Sequence, residues 1–174
     1  MKLFQRPCSF VPDEIDPGFV KALFQAAYDK KPKSIYIRDL PVDQDARRIF
    51  DSPSLSTYHP SHGYEVVVGV NTGTQYVGGP SSGMALHTEN GDIPSVNYNH
   101  GPPKGWVVVH HEGVGILSRH PANHTGKPRC SWLHHKEMYF ASPELLDRLG
   151  VPVTCFPQKI RDLVVTGPGA VHGV

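Results

Sequence analysis

Leu86-His87-Thr88-Glu89-Asn90, answered far downstream by Gly169-Ala170-Val171-His172, is the pairing on which the reading of this chain turns. Two histidines and one carboxylate, spaced His-x-Glu and then a distant His, are the donors that a facial iron(II) site requires. On an extended strand successive side chains alternate between faces, so His87 and Glu89 project to one side, about 6.6 Å apart along the strand. His172, arriving on a second strand, closes one face of an octahedron and leaves three positions open, the arrangement of non-haem iron oxygenases. In a chain with 11 histidines, His-x-Glu alone is a weak signal. Its surroundings carry more.

Eight residues after His87 begins Ser95-Val96-Asn97-Tyr98-Asn99-His100-Gly101-Pro102-Pro103-Lys104-Gly105-Trp106. With the metal pair upstream, this stretch resembles the JmjC (Jumonji C) family of iron- and 2-oxoglutarate-dependent oxygenases, whose pattern there is S-[IV]-N-x-x-x-G-x-P-K-x-W. The resemblance takes in Gly69-Val70-Asn71-Thr72 and Tyr76 before the metal pair. After it come Trp132-Leu133-His134-His135-Lys136, Ser142-Pro143-Glu144-Leu145-Leu146, Leu149-Gly150-Val151-Pro152, Gln158 and the run from Asp162 to His172. It covers roughly residues 66–174 and looks most like the histone lysine demethylases, especially the trimethyl-lysine branch.

The resemblance implies a mainly β fold with α insertions, built on a double-stranded β-helix core of the cupin or jelly-roll type. Residues 64–174 are expected to form the catalytic core, and residues 1–63, which the resemblance does not reach, an N-terminal helix, strand and loop segment packing on it within a single domain. Relatives continue through a further strand after the final metal histidine, so this core is expected to lack its last strand. Two other departures stand out. Gly83 and Met84 occupy positions where relatives often carry a cosubstrate-binding hydroxyl or aromatic, and Ile160-Arg161 replaces a Pro-Gly turn.

By the same resemblance His87, Glu89 and His172 are the catalytic ligands of Fe(II), with O2 and 2-oxoglutarate as co-reactants. Lys104 pairs with the distal carboxylate of 2-oxoglutarate, and Asn97, on the inward phase of its strand, donates beside it. The physics agrees, because a dianion in a closed pocket needs a fixed cation. Tyr76, eleven residues before His87, stands where the trimethyl-lysine branch places a tyrosine against the methylammonium, a cation suited to an aromatic face. The implied activity is oxidative demethylation of methyl-lysine in a histone tail, in the nucleus. The alternatives are a JmjC-type protein hydroxylase, or a non-catalytic or fragmentary chromatin-binding module. Cys130 and His135 resemble half of a structural zinc site found in some relatives, but two ligands do not make a closed tetrahedral site, and no structural zinc is expected.

Composition sets the outer bounds. A chain of 174 residues with 39% hydrophobic and 19% charged residues suits one soluble domain, and 17 prolines with 17 glycines favour short strands and turns over a helical bundle. A formal net charge of +1 advertises no nucleic-acid surface. No apolar run approaches the roughly 20 residues that span a bilayer, and the N-terminus lacks a signal-peptide core. Cys8, Cys130 and Cys155 are too few and too scattered for a disulfide framework, which points to a reducing compartment.

Along the chain, Asp16-Pro17 opens a helix carried to about Asp29 by Phe19, Val20, Leu23, Phe24 and Ala27. A strand is expected at Ser34–Arg38, ended by Leu40-Pro41. Others are expected at Tyr64–Val70, Ser95–Tyr98, Trp106–His110, Gly115–Leu117 and Leu163–Thr166. Ser142-Pro143-Glu144 caps a second helix that runs to Leu149. Trp106 and Trp132 are read as core fillers.

Overall fold

A computed structural model describes residues 16–30, 36–41, 62–79, 82–119 and 141–174. The chain divides into two compact units, one made by the segment ending at Lys31 together with Met84–Val174, the other by Pro32–Gly83.

In the first unit, α1 (Pro17–Lys30) starts where the Asp16 carboxylate accepts from the Phe19 N–H. A short 3-10 turn (Asn90–Asp92) then precedes β3 (Ser95–Tyr98) and β4 (Lys104–Val109). Next come α2 (His111–Arg119), α3 (Pro143–Arg148), β5 (Val153–Gln158), β6 (Leu163–Thr166) and β7 (His172–Gly173). Ser142 caps α3 by accepting from the Leu145 N–H at 3.1 Å. β3 pairs antiparallel with β6, and β4 lies between β5 and β7, antiparallel to both. β3–β4 and β5–β6 thus run as one long antiparallel ribbon, folded at residues 99–103 and 159–162.

Alternation along β4 sorts its side chains. Gly105, Val107 and Val109 turn toward α1 and the core of Val20, Phe24, Leu117, Leu146 and Val151, while Lys104, Trp106 and Val108 turn to the opposite face. Gly105 permits the close approach of α1, since a Cβ there would sit 2.9 Å from a Val20 methyl. The Lys21–Asp147 ion pair at 2.7 Å ties α1 to α3 on the outside.

The second unit holds β1 (Tyr36–Pro41) paired antiparallel with β2 (Thr74–Gly78), the register shifting between Ile37 and Leu40. The strand therefore continues through Leu40-Pro41 instead of ending there.

Two expected strands are absent. Tyr64–Val70 forms a turn with a single bridge from Val68 to Thr72, because buried Asn71 accepts from the Val67 N–H and donates to the Glu65 carbonyl, both at 2.8 Å. Gly115–Leu117 lies within α2. There Gly113 lets the helix close onto Val109, Val151 and Pro152, each within 3.2 Å of where its Cβ would stand. The chain is mainly β with a few helices, as expected. Among the described residues no helix is long and apolar enough to cross a membrane. Cys8, Cys130, Trp132, His135 and most of residues 43–63 lie outside the described residues.

Candidate metal centre

The site is built on one cross-strand pair. His87 and His172 face each other as an antiparallel bridge and exchange both backbone hydrogen bonds, each at 2.9 Å. Residues opposed in this way carry their side chains on one face, and the two imidazole centroids lie 4.5 Å apart. Three residues earlier Met84 exchanges both bonds with Val174, so Ala85 and Leu86 together oppose Gly173 alone. That extra residue is a β-bulge, a device that re-aims side chains beside it. His87 therefore sits in an isolated bridge instead of a long strand. Glu89, extended at φ −66° and ψ 155°, caps the 3-10 turn and keeps the phase that the His-x-Glu spacing implies.

Both rings are held alike. Nδ1 of His87 lies 2.8 Å from the Ala85 carbonyl oxygen, and Nδ1 of His172 lies 3.0 Å from that of Ala170. A carbonyl can only accept, so in each neutral ring Nδ1 carries the proton and Nε2 the lone pair. Nε2 of His172 stands 3.7 Å from the Glu89 carboxylate. One donor atom from each of His87, Glu89 and His172 falls within 4.8 Å of the others. Two cis ligands, each about 2.1 Å from a shared ion, lie about 3 Å apart, a separation near that of these donors. Two fixed nitrogen lone pairs and a half-buried carboxylate are the donors of a divalent transition-metal site. Burial pushes the His172 pKa below its usual value and nearby His87 adds to this, against the opposing pull of the Ala170 carbonyl and Glu89. The neutral, ligating form is favoured.

On the same face of β4, Lys104 donates from Nζ to Oδ1 of Asn97 at 2.8 Å, bringing together the two residues expected at the cosubstrate. No carboxylate pairs with this ammonium among the described residues, and burial lowers its pKa to about 8. Asn97 is an acceptor toward Lys104, which leaves its amide NH2 as the donor. Buried Asn99 shapes the turn that delivers Lys104. Its Nδ2 donates to the Pro102 and Gln158 carbonyls, and its Oδ1 accepts from the Gly101 N–H.

Trp106, 1% exposed, stacks on His172 with centroids 5.4 Å apart, so the expected core filler also backs a candidate ligand. Tyr76 belongs to the second unit, half-exposed on β2 and stacked on Tyr36 with centroids 6.2 Å apart. Asn99, Gln158 and the carbonyls that fix the two rings have no individual role that the sequence alone assigns. The first two were visible as polar residues beside strand ends. Carbonyl orientation leaves no trace in a sequence.

The family model described as "JmjC domain, hydroxylase" matches residues 74–174, more than half of the chain. The chain belongs to the JmjC family. Human probable lysine-specific demethylase 4F is 34% identical to this JmjC chain over 113 residues, which are 62% of the chain and 17% of the relative. Mouse lysine-specific demethylase 4B is 33% identical over 114 residues, covering 62% and 10%, and rat lysine-specific demethylase 4D is 32% identical over 111, covering 62% and 22%. The JmjC chain thus spans less than a quarter of the length of these relatives.

Proposed function

We propose that this JmjC chain is an Fe(II)- and 2-oxoglutarate-dependent oxygenase that oxidatively demethylates methyl-lysine in a nuclear histone tail. One observation carries the reading: His87, Glu89 and His172 converge on the face of the sheet that also presents Lys104, a half-buried ammonium with no carboxylate partner among the described residues. That combination suits a divalent metal beside a dicarboxylate. The folded ribbon of β3–β4 and β5–β6 is proposed as part of a double-stranded β-helix, within a catalytic core assigned to residues 64–174. The relatives named as lysine-specific demethylases favour methyl-lysine as the substrate.

Iron bound with 2-oxoglutarate and O2 supplies the oxidising power that places one oxygen atom in a substrate C–H bond, as the cosubstrate becomes succinate and carbon dioxide. The protein's share is positional. The Ala85 and Ala170 carbonyls fix the tautomer of the neutral rings so that each Nε2 lone pair would face the ion, and Glu89 would offset part of its charge. Lys104 and the Asn97 amide hold the cosubstrate's far carboxylate, fixing its orientation. Buried Trp106 keeps water from the floor of the site. Hydroxylation of an N-methyl group gives a carbinolamine, which releases formaldehyde and leaves the amine with one methyl fewer. Half-exposed Tyr76 is proposed as a contact for the methylammonium, and Tyr76→Ala should weaken peptide binding by about 0.5–2 kcal/mol.

The test is turnover of the purified chain with Fe(II), 2-oxoglutarate, O2 and mono-, di- and trimethyl-lysine histone peptides. Formaldehyde matched to succinate supports demethylation. A stable product carrying one added oxygen moves the assignment to a protein hydroxylase. Bound metal and cosubstrate without turnover of any peptide moves it to a non-catalytic module.

A further inference from the structure

We propose that Gln158 is a positioning residue for both halves of this site, an inference that rests on the metal-centre reading above. Gln158 is 1% exposed at the fold of the ribbon, directly across from Lys104 in the β4–β5 register. Its Oε1 accepts from Nε1–H of Trp106 at 2.9 Å. Its Nε2 donates to the Asn97 carbonyl at 2.9 Å and the Asp162 carbonyl at 3.0 Å. All three bonds agree on one orientation of the amide. Turned over, it would set N–H against the indole N–H and oxygen against two carbonyls, so the group is locked.

The lock reaches the candidate ligand through Trp106. The indole lies at 25° to the His172 ring, which is held between it and His87. Gln158 pins the polar edge of the indole, and with it the wall that keeps His172 from rotating. The same side chain fixes the main chain of Asn97, whose amide oxygen receives the Lys104 ammonium. One carboxamide therefore spans from the metal-ligand side to the anion-binding side. A methionine of similar length would fill the space and fix neither. Burying an amide is costly unless each polar atom is matched, and here each is.

Cobalt(II) is the probe, since its visible absorption reports ligand geometry without turnover. Gln158→Met should bind Co(II) about tenfold more weakly than wild type, the low end of losses seen for groups that orient metal ligands. Its absorption bands should move, and 2-oxoglutarate should bind the cobalt form more weakly as well. Val20→Ala, a core truncation on the opposite face of the sheet, controls for instability and should keep wild-type affinity and bands. Trp106→Phe keeps a ring against His172 but removes the tether, so it should shift the bands in the same sense, and it serves if Gln158→Met does not fold. A folded Gln158→Met or Trp106→Phe with wild-type affinity and spectrum overturns the inference alone. A wild-type chain that takes up no Co(II) overturns the metal-centre reading and this inference with it.

Discussion

The ammonium of Lys104 rests 2.8 Å from the amide oxygen of Asn97, and burial holds its pKa down to about 8. Among the described residues this half-buried cation faces a neutral dipole and no carboxylate, so it is poorly compensated and an arriving anion would relieve it. Lys104→Ala should therefore weaken 2-oxoglutarate binding by about two to four powers of ten, corresponding to about 3–5 kcal/mol, while metal affinity stays near wild type. Lys104→Met should also stabilise the free protein at pH 7, by about 1 kcal/mol because the group is part-exposed. Because the free lysine sheds its proton near pH 8 and the bound one keeps it, affinity for the dianion should fall as pH rises above 8. Titration calorimetry at pH 7 and 9 checks this, and unchanged affinity in Lys104→Ala would remove Lys104 from the site.

His87→Ala removes one of the three converging donors. Metal affinity should drop by more than about 100-fold, beyond the losses usual for outer groups, while far-ultraviolet circular dichroism stays that of the wild type. Stability should fall by only about 1–2 kcal/mol, since among the described residues the ring makes one bond, to Ala85, and one aromatic contact. Full metal occupancy of this variant by elemental analysis would be decisive against the assignment.

Acid should act through His172, whose pKa lies below its ordinary value chiefly through burial. As pH falls through about 6.5 the unfolded chain takes up a proton at this residue and the folded chain does not. Stability of the metal-free protein contributed here is present above that pH and lost below it. Urea midpoints at pH 7.5 and 5.5 should differ more in wild type than in His172→Gln. Equal differences would show that this histidine does not titrate as described.

Arg161 takes φ +69° at the third position of the turn closed by the Asp162 N–H to Lys159 carbonyl bond. A side chain there costs about 1 kcal/mol relative to glycine, partly offset by glycine's looser unfolded state. Arg161→Gly should leave stability unchanged or raise it by up to about 1 kcal/mol, with metal and 2-oxoglutarate affinities unaltered. A loss of more than that in thermal unfolding would mean that the Arg161 side chain makes a contact worth more than the strain.

Much of the site was legible because its chemistry depends on residue type and short spacing. His87 and Glu89 share a phase, and Asn97 and Lys104 belong to one motif whose ends the structure brings into contact. β3 and β6 matched their expected bounds because each is a short run carrying β-branched residues and ended by a turn. The Tyr64–Val70 run misled because a strand signal of valines was overruled by the two side-chain bonds of Asn71. Gly115–Leu117 misled because Gly113 serves helix packing, which local periodicity does not register. The ring tautomers and the bulge before His87 depend on carbonyl direction and register, and those exist only once distant strands have paired.

The bulge opposite Gly173 has a consequence for the order of assembly. His87 and Glu89 are close from the outset, but His172 arrives across a span of 85 residues, whose closure costs about 4 kcal/mol of chain entropy plus a constant. A slip of one position in that pairing turns either imidazole to the opposite face. The third donor thus joins late and in a single register, so an ion gripped by all three would register that the chain's last two strand residues have met their partner correctly. Hydrogen exchange at the His87 and His172 amides should accordingly slow together when a metal binds, since neither bond opens without the other.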